Sequence, residues 1–284
     1  MGAWVDWIGR EHTALDTLDP ALAARWCATF DRALPSGGVM PQGVHFCLCT
    51  PDAPTRKLGD DGHPERDDTA ASFFPPVPQP RRMWASSAIS FAAPIATGAA
   101  ISRTSRIASV EEKSGKSGSL VFVDVTHETR ADGELAVTER QTLVYRDAAA
   151  PDAPLTPPAV SGDRFDPGSW DTHRTLVPDP RLLFRFSALT FNTHRIHYDA
   201  PYASEIERYR GLVVHGPLMA TLLLQMAGEE LGENRLATFG FRAMSPAIAG
   251  DELHLVMRQE SAGIELAAVA ADGREIVKAR ASLA

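Results

Sequence analysis

Apolar positions follow two rhythms along the chain. Leu22, Trp26 and Phe30 recur every four residues behind Asp19-Pro20, a helix cap followed by a first-turn proline. That spacing predicts a helical segment over residues 1–34, ended by Gly37-Gly38. From Met83 to Arg146 the period changes to two. MWASSAISFAAPI, ISRTSRIASVEEK, SLVFVDVTHET and LAVTERQTLVYR alternate β-branched or aromatic residues with polar ones, and SGKSGS (114–119) and RADG (130–133) form turns between them. The same plan returns later. A nearly all-apolar helix, Pro217–Glu230, precedes four more strand candidates, LATFGFRAM, ELHLVMRQE, IELAAVAA and EIVKARASL. Helix then meander, twice at similar length, predicts a duplicated α+β unit.

Two stretches fit neither rhythm. Residues 35–80 hold one short strand candidate, SGGVMPQGVHFCLC, and then a run rich in Pro, Gly and charge. A connection that long inside a compact domain is usually functional, so it reads as a lid or substrate-side loop. Residues 147–163, DAAAPDAPLTPPAVSGD, can bury almost nothing and read as a linker. The expected units are therefore 1–146 and 164–284.

Composition narrows the class. A chain of 284 residues with 44% hydrophobic and 23% charged residues can build a substantial globular core. A net charge of -8 argues against nucleic acid as the main partner. Cys27, Cys47 and Cys49 are too few and too irregular for a disulfide framework, and read as buried reduced thiols. The N-terminus lacks a basic region followed by an apolar core, and no apolar run approaches the roughly 20 residues that span a bilayer. A cytoplasmic protein with no membrane partner is the expectation.

Candidate chemistry concentrates in Phe186–Gly228, which contains three of the nine histidines. Gly216-Pro217 places a glycine at or near the start of the second apolar helix, where backbone N–H groups lack partners and the helix dipole is positive. Without a side chain at 216, a ligand oxygen can approach that amide. The same dipeptide could equally be simple helix punctuation. His194 and His197 lie three apart, with His215 further on. No thiolate or HExxH-type spacing accompanies them, so a metal site is not favoured. His197 suits proton transfer near neutral pH, although a lone histidine is more often structural.

FSALTFNTHRIHYD followed by GLVVHGPLMATLL resembles the second half of the MaoC-like dehydratases, hot-dog-fold R-specific enoyl-CoA hydratases. PPVPQPRRMWAS, SVEEKSGKSG and LAVTERQTLVYR are similar to the first half of the two-domain, fatty-acid-synthase-like branch, so the resemblance covers nearly the whole chain. It implies an α+β double hot-dog fold, two antiparallel sheets each wrapped around a long central helix, with one active site in the second half. It implies a cofactor-free, metal-free hydro-lyase acting on an acyl-CoA, and a capacity to form homodimers. A methyl-branched C5 dicarboxylyl-CoA, such as mesaconyl-C4-CoA or itaconyl-CoA, is the substrate class implied. Rivals are a 3-hydroxyacyl-thioester dehydratase of fatty-acid synthesis and a non-catalytic acyl-CoA-binding protein. A hot-dog thioesterase would need a carboxylate on the central helix, which is absent before Glu229.

The family motif, Gly-Asp-x-Asn-Pro-x-His and then Val-His-Gly, carries its histidine to His197 and its donor glycine to Gly216. Its aspartate falls on Asn192, a departure, because an amide cannot take up a proton as a carboxylate does. Asn192 can still orient a water. The motif's Asn and Pro become His194 and Arg195. Thr190, His194, Arg195, His215, Arg81, Arg82 and Arg242 are the expected substrate-binding residues, the arginines for CoA phosphates or a free carboxylate.

Overall fold

A computed structural model describes residues 4–115, 118–162 and 164–284. Parts of the expected 114–119 turn (Lys116, Ser117), the last linker residue (Asp163) and residues 1–3 lie outside those described.

Ten strands form one continuous antiparallel sheet. They are β1 (Glu11–Thr17), β2 (Arg81–Phe91), β3 (Ala100–Gly115), β4 (Gly118–Ala131), β5 (Glu134–Arg146), β6 (Thr172–Leu176), β7 (Leu236–Ala243), β8 (Leu253–Glu260), β9 (Gly263–Ala270) and β10 (Glu275–Leu283). Their order is β1-β3-β4-β5-β2-β7-β10-β9-β8-β6. The halves meet at β2 and β7, in a register that sets Ser86 opposite Arg242 and Ser90 opposite Thr238. The two sheets that the resemblance implied join into one, because neighbouring edge strands satisfy each other's free N–H and C=O groups.

The helices are α1 (Pro20–Thr29), α2 (Pro180–Leu189) and α3 (Gly216–Leu231). α1 and α2 begin alike. Asp19 and Asp179 are N-caps whose carboxylates accept the Leu22 and Leu182 amides at 2.8 and 2.9 Å, with proline next in each case. The duplication therefore reads strand, Asp-Pro helix, then meander, and α2 is an element the hydrophobic period did not single out. The helix expected over 1–34 is shorter than expected. Residues 11–17 instead pair with β3, Glu11 opposite Arg106 through Thr17 opposite Ala100, because an available strand edge overrides weak local propensity.

Among the described residues, only α3 is a long central helix. The first half's counterpart is a single 3-10 turn, Val44–Cys47, rather than the strand predicted there. Pro41, Pro51 and Pro54 bracket that turn, and proline cannot continue a helix interior. The expectation of a long helix in each half is corrected accordingly. α3 serves both: a Cβ on Gly43, whose φ is +104°, would lie 3.4 Å from Leu224 and from Thr221. The main core joins Trp26, Met40 and Leu48 to Phe186, Leu218 and Phe239. The sheet's outer face is also covered. Phe73, Phe74 and Val77 from the long loop lie over Val121, Val123 and Tyr145, while Phe165 and Trp170 lie over Val256 and Val269. β8 is consequently buried on both faces, as its five consecutive buried residues Leu253–Met257 show, His254 being the one polar member.

No helix among the described residues is long and apolar enough to cross a membrane. Cys27, Cys47 and Cys49 are free and buried.

Candidate active site

The motif Asn192–Asp199 leaves α2 through Phe191, held at a φ of +47°, and ends in a 3-10 turn, Arg195–His197. Asn192 donates its amide to the Ser187 carbonyl at 2.8 Å, and its side-chain Oδ1 accepts the His194 N–H at 2.9 Å. This Asx turn fixes the Asn192 side chain and leaves its NH2 group to face a ligand or water.

His197 is buried. Its Nδ1 lies 2.7 Å from the Val213 carbonyl, which can only accept, so Nδ1 carries the proton and Nε2 is left as a lone pair. Burial lowers its pKa to about 4, against the pull of the Val213 bond, so the ring is neutral near pH 7. His215 stacks beneath it with centroids 3.6 Å apart and an angle of 18°. His215 is the N-cap of α3, and its Nε2 meets the Ser187 hydroxyl at 2.8 Å. Stacking therefore ties the His197 ring to the start of α3.

Gly216 is the first residue of α3, one step further into the helix than the sequence suggested. A Cβ built there would meet nothing within 4 Å. The glycine leaves room beside this amide, which sits at a helix start whose dipole favours negative charge.

The long loop closes over this arrangement, as expected for a substrate-side loop. Asp61 O accepts the Arg195 amide at 2.9 Å, Asp60 O accepts from the Arg195 guanidinium at 2.9 Å, and Gly62 O accepts the Thr193 hydroxyl at 2.5 Å. Gly62, at a φ of +86°, comes so close that a Cβ would sit 1.8 Å from the Thr193 carbonyl oxygen. The loop thereby sets His63 against His194, with ring centroids 4.0 Å apart. His194 in turn stands edge-on to His197 at 5.4 Å. Four imidazoles thus run in file, His63, His194, His197 and His215. Burial, with His63 and His197 beside it, lowers His194 to about 2.

A cavity of about 900 Å³ opens on the other side of this loop, lined in part by His63, Arg66, Arg81, Arg82, Tyr202 and Glu207. It reaches the histidine file at His63; Asn192, His197 and Gly216 do not line it.

The expected substrate-binding residues separate clearly. Arg82 lines the cavity and, among the described residues, has no carboxylate or carbonyl partner. Arg81 is paired with Glu207 through a 2.5 Å contact and lies over the Tyr209 ring, so its charge is already satisfied. Arg195 is bound to Asp199 at 2.7 Å and covers the Tyr202 ring, which makes it a brace of the motif. Arg242 is exposed on β7 and stands outside the cavity wall. Thr190 caps α2 by donating to the Phe186 carbonyl at 2.8 Å. Sequence reasoning missed Asp61, His63 and Arg66. Their signal was the DDGHPER segment, an isolated histidine between a glycine and an arginine in a loop too long to be a mere connection.

Comparisons with known proteins give the family and the fold. A family model described as hydroxyacyl-thioester dehydratase type 2 matches residues 43–249. The chain is 40% identical over 285 aligned positions to mesaconyl-C4-CoA hydratase of Chloroflexus aurantiacus, covering 99% of this chain and 98% of that one. It is 26% identical to the mitochondrial hydroxyacyl-thioester dehydratase type 2 of Schizosaccharomyces pombe, covering 82% and 81%. Among solved structures it is similar to HtdX of Mycobacterium tuberculosis, with a TM-score of 0.68 at 19% identity over 97% of this chain and 100% of that one. A Mycobacterium tuberculosis protein described as having a double hotdog fold matches with a TM-score of 0.60 at 15% identity, over 97% and 96%. The fold is a double hot dog in which only the second half keeps its long helix. With the family model spanning most of the sequence and a relative at 40% identity end to end, the chain belongs to the hydroxyacyl-thioester dehydratase type 2 family and is a hydro-lyase.

Proposed function

We propose that this protein reversibly hydrates an α,β-unsaturated acyl-CoA, a C5 dicarboxylyl thioester of the mesaconyl-C4-CoA type. The carrying observation is the pairing of an open helix-start amide at Gly216 with a neutral His197 held against the residue before it by ring stacking. The relative at 40% identity supports the acyl group, since its name gives that substrate.

The thioester oxygen accepts the Gly216 N–H. Water oxygen bonds to Cβ, the Cα=Cβ electron pair moves toward the thioester oxygen, and His197 Nε2 receives the proton that water loses. Asn192, its carbonyl side locked on the His194 amide, directs its NH2 group at the water oxygen. Collapse of the enolate takes up a proton at Cα. Dehydration retraces these steps. Arg82 meets the free carboxylate or a CoA phosphate. Residues 1–146 and 164–284 act as the two units of this single site. Three free, buried thiols fit a reducing, cytoplasmic setting.

The test is hydration of mesaconyl-C4-CoA and itaconyl-CoA against crotonyl-CoA, followed by loss of enone absorbance. Faster turnover of the dicarboxylic substrates is expected, and no turnover of any enoyl-CoA would sink the assignment. His197→Ala should lower kcat by a factor of about 10²–10⁴ with the fold intact.

A further inference from the structure

The site as described has one gap. An Asp at position 192 would supply a second proton-handling group, and Asn192 does not. The nearest carboxylate in the histidine file enters from the first half. Asp61 Oδ2 lies 2.9 Å from His63 Nδ1, and Asp61 Oδ1 accepts the His63 amide at 2.9 Å, so the carboxylate holds both ring and backbone. His63 keeps Nε2 unengaged, lines the cavity, and packs on His194. An imidazole oriented by a half-buried carboxylate, with its far nitrogen left free beside a cavity, is the arrangement of a general acid–base.

We propose that His63, positioned by Asp61, is the second proton-transfer residue of this hydro-lyase, delivering the proton to Cα in hydration and removing it in dehydration. The assignment rests on the hydration reading above.

The step balances. His63 enters hydration as the imidazolium and His197 as the neutral ring. Water's oxygen bonds Cβ, and its proton goes to His197 Nε2. The enolate electron pair takes the His63 proton, forming the Cα–H bond. One proton has moved from His63 to His197, and exchange with solvent restores both rings between turnovers. In dehydration the neutral His63 is the base and protonated His197 assists departure of the hydroxyl.

The surroundings favour this use. His63 is faced by Asp61, Glu65 and Arg66 from its own loop, by Arg82 from β2, by His194 from the motif and by Tyr202 beyond it. Burial lowers its pKa, and Arg82 and Arg66 add to that, while the Asp61 bond and charge work against it. An anionic acyl group or phosphate bound against Arg82 and Arg66 cancels the cationic contribution. Asp61 then dominates, and His63 takes up its proton as substrate binds. Asp61 itself stays ionised: burial raises it, but the His63 ring and amide bonds and charge outweigh burial and hold its carboxyl below the usual range.

Asp61 Oδ, His63 and His194 could also be read as three metal ligands, since their atoms lie within 4.8 Å of one another. Arg82 depresses the pKa of both histidines and would repel a cation in the same way, which favours proton transfer.

The test uses the full chain and mesaconyl-C4-CoA. Wild-type turnover comes first; its absence would overturn both the hydration reading and this assignment. With an active wild type, His63→Gln, which keeps size and polarity, should lower kcat by about 100-fold or more at unchanged melting temperature, with KM within about threefold. Exchange of the Cα hydrogen with solvent deuterium should fall in parallel. Asp61→Asn keeps the backbone contact to Arg195 and should shift a limb of the pH–rate profile, which a merely structural role would not do. The assignment is overturned if His63→Gln keeps kcat within about fivefold, if Asp61→Asn leaves the pH profile unmoved, or if the wild type carries stoichiometric zinc whose removal abolishes turnover.

Discussion

Gly216→Ala separates what the fold requires from what the chemistry requires. At most helix positions alanine is the better residue, and a compatible Gly→Ala change stabilises by about 0.4–1 kcal/mol through the unfolded chain. Position 216 is compatible: its φ is not in the left-handed region and an added Cβ meets nothing within 4 Å. For a chain of this size the melting temperature should hold or rise by a few degrees, at about 2–4 °C per kcal/mol. Activity should move the other way. The methyl group would stand in the space that the thioester oxygen must occupy to reach the 216 amide. Displacing that oxygen by about 1 Å forfeits most of a preorganised oxyanion donor, worth roughly 2.7–4 kcal/mol, or about 10²–10³ in kcat. The assay pairs a thermal melt with initial rates of enoyl-CoA hydration. A variant that keeps kcat within about threefold refutes the placement of the thioester at Gly216. A variant that loses both activity and stability refutes the claim that this glycine is there for chemistry.

Three other outcomes follow from particular contacts. Gly62→Ala would drive a methyl group to 1.8 Å from the Thr193 carbonyl oxygen at a φ of +86°, so the loop cannot dock; a loss of about 1–3 kcal/mol in chemical denaturation and near-complete loss of turnover are expected. Arg82→Gln should raise KM for a dicarboxylic acyl-CoA by about 10- to 100-fold, a loss typical of one charge-assisted hydrogen bond, with its melting temperature unchanged. Glu139 lies buried beside Ser87, and burial raises its pKa to about 7, against the Ser87 bond and the Arg103 charge. The folded carboxyl therefore keeps its proton after the unfolded one, with the ordinary value of 4.5, has lost it, so stability falls as pH rises from about 4.5 to about 7 and then levels off. Glu139→Gln should remove that slope and stabilise the protein at pH 8 by on the order of 3 kcal/mol, read from denaturation at pH 5 and pH 8.

Much of this molecule is written in its order of residues. Strand patterns marked eight of the ten strands found among the described residues, by alternation where one face is buried and by near-continuous apolar runs in β8 and β9, where both faces are. β1 and β6 escaped notice: each is short and half-exposed at an end of the sheet, so burial imposes little apolar pattern on it. The resemblance singled out Asn192, His197 and Gly216, and each sits in local backbone geometry, an Asx turn, a 3-10 turn and a helix start, which nearby residues largely dictate. The buried thiols and the linker composition were equally local facts.

What the chain order could not disclose is what contact across the molecule decides. That α3 serves both halves depends on prolines cutting short the first half's helix and on Gly43 closing against Leu224. Which arginines are free is a matter of partners far away in sequence: Glu207 occupies Arg81, while Arg82, the next residue on the same cavity wall, stays unpaired among the described residues. Asp61 and His63 lie more than a hundred residues before His194, and only the docking of Gly62 on Thr193 brings them to it. Helix starts and turns arise from short-range sterics and hydrogen bonds, which a sequence carries within a few residues. A carboxylate brought from one half to complete a site in the other exists only once the chain has folded.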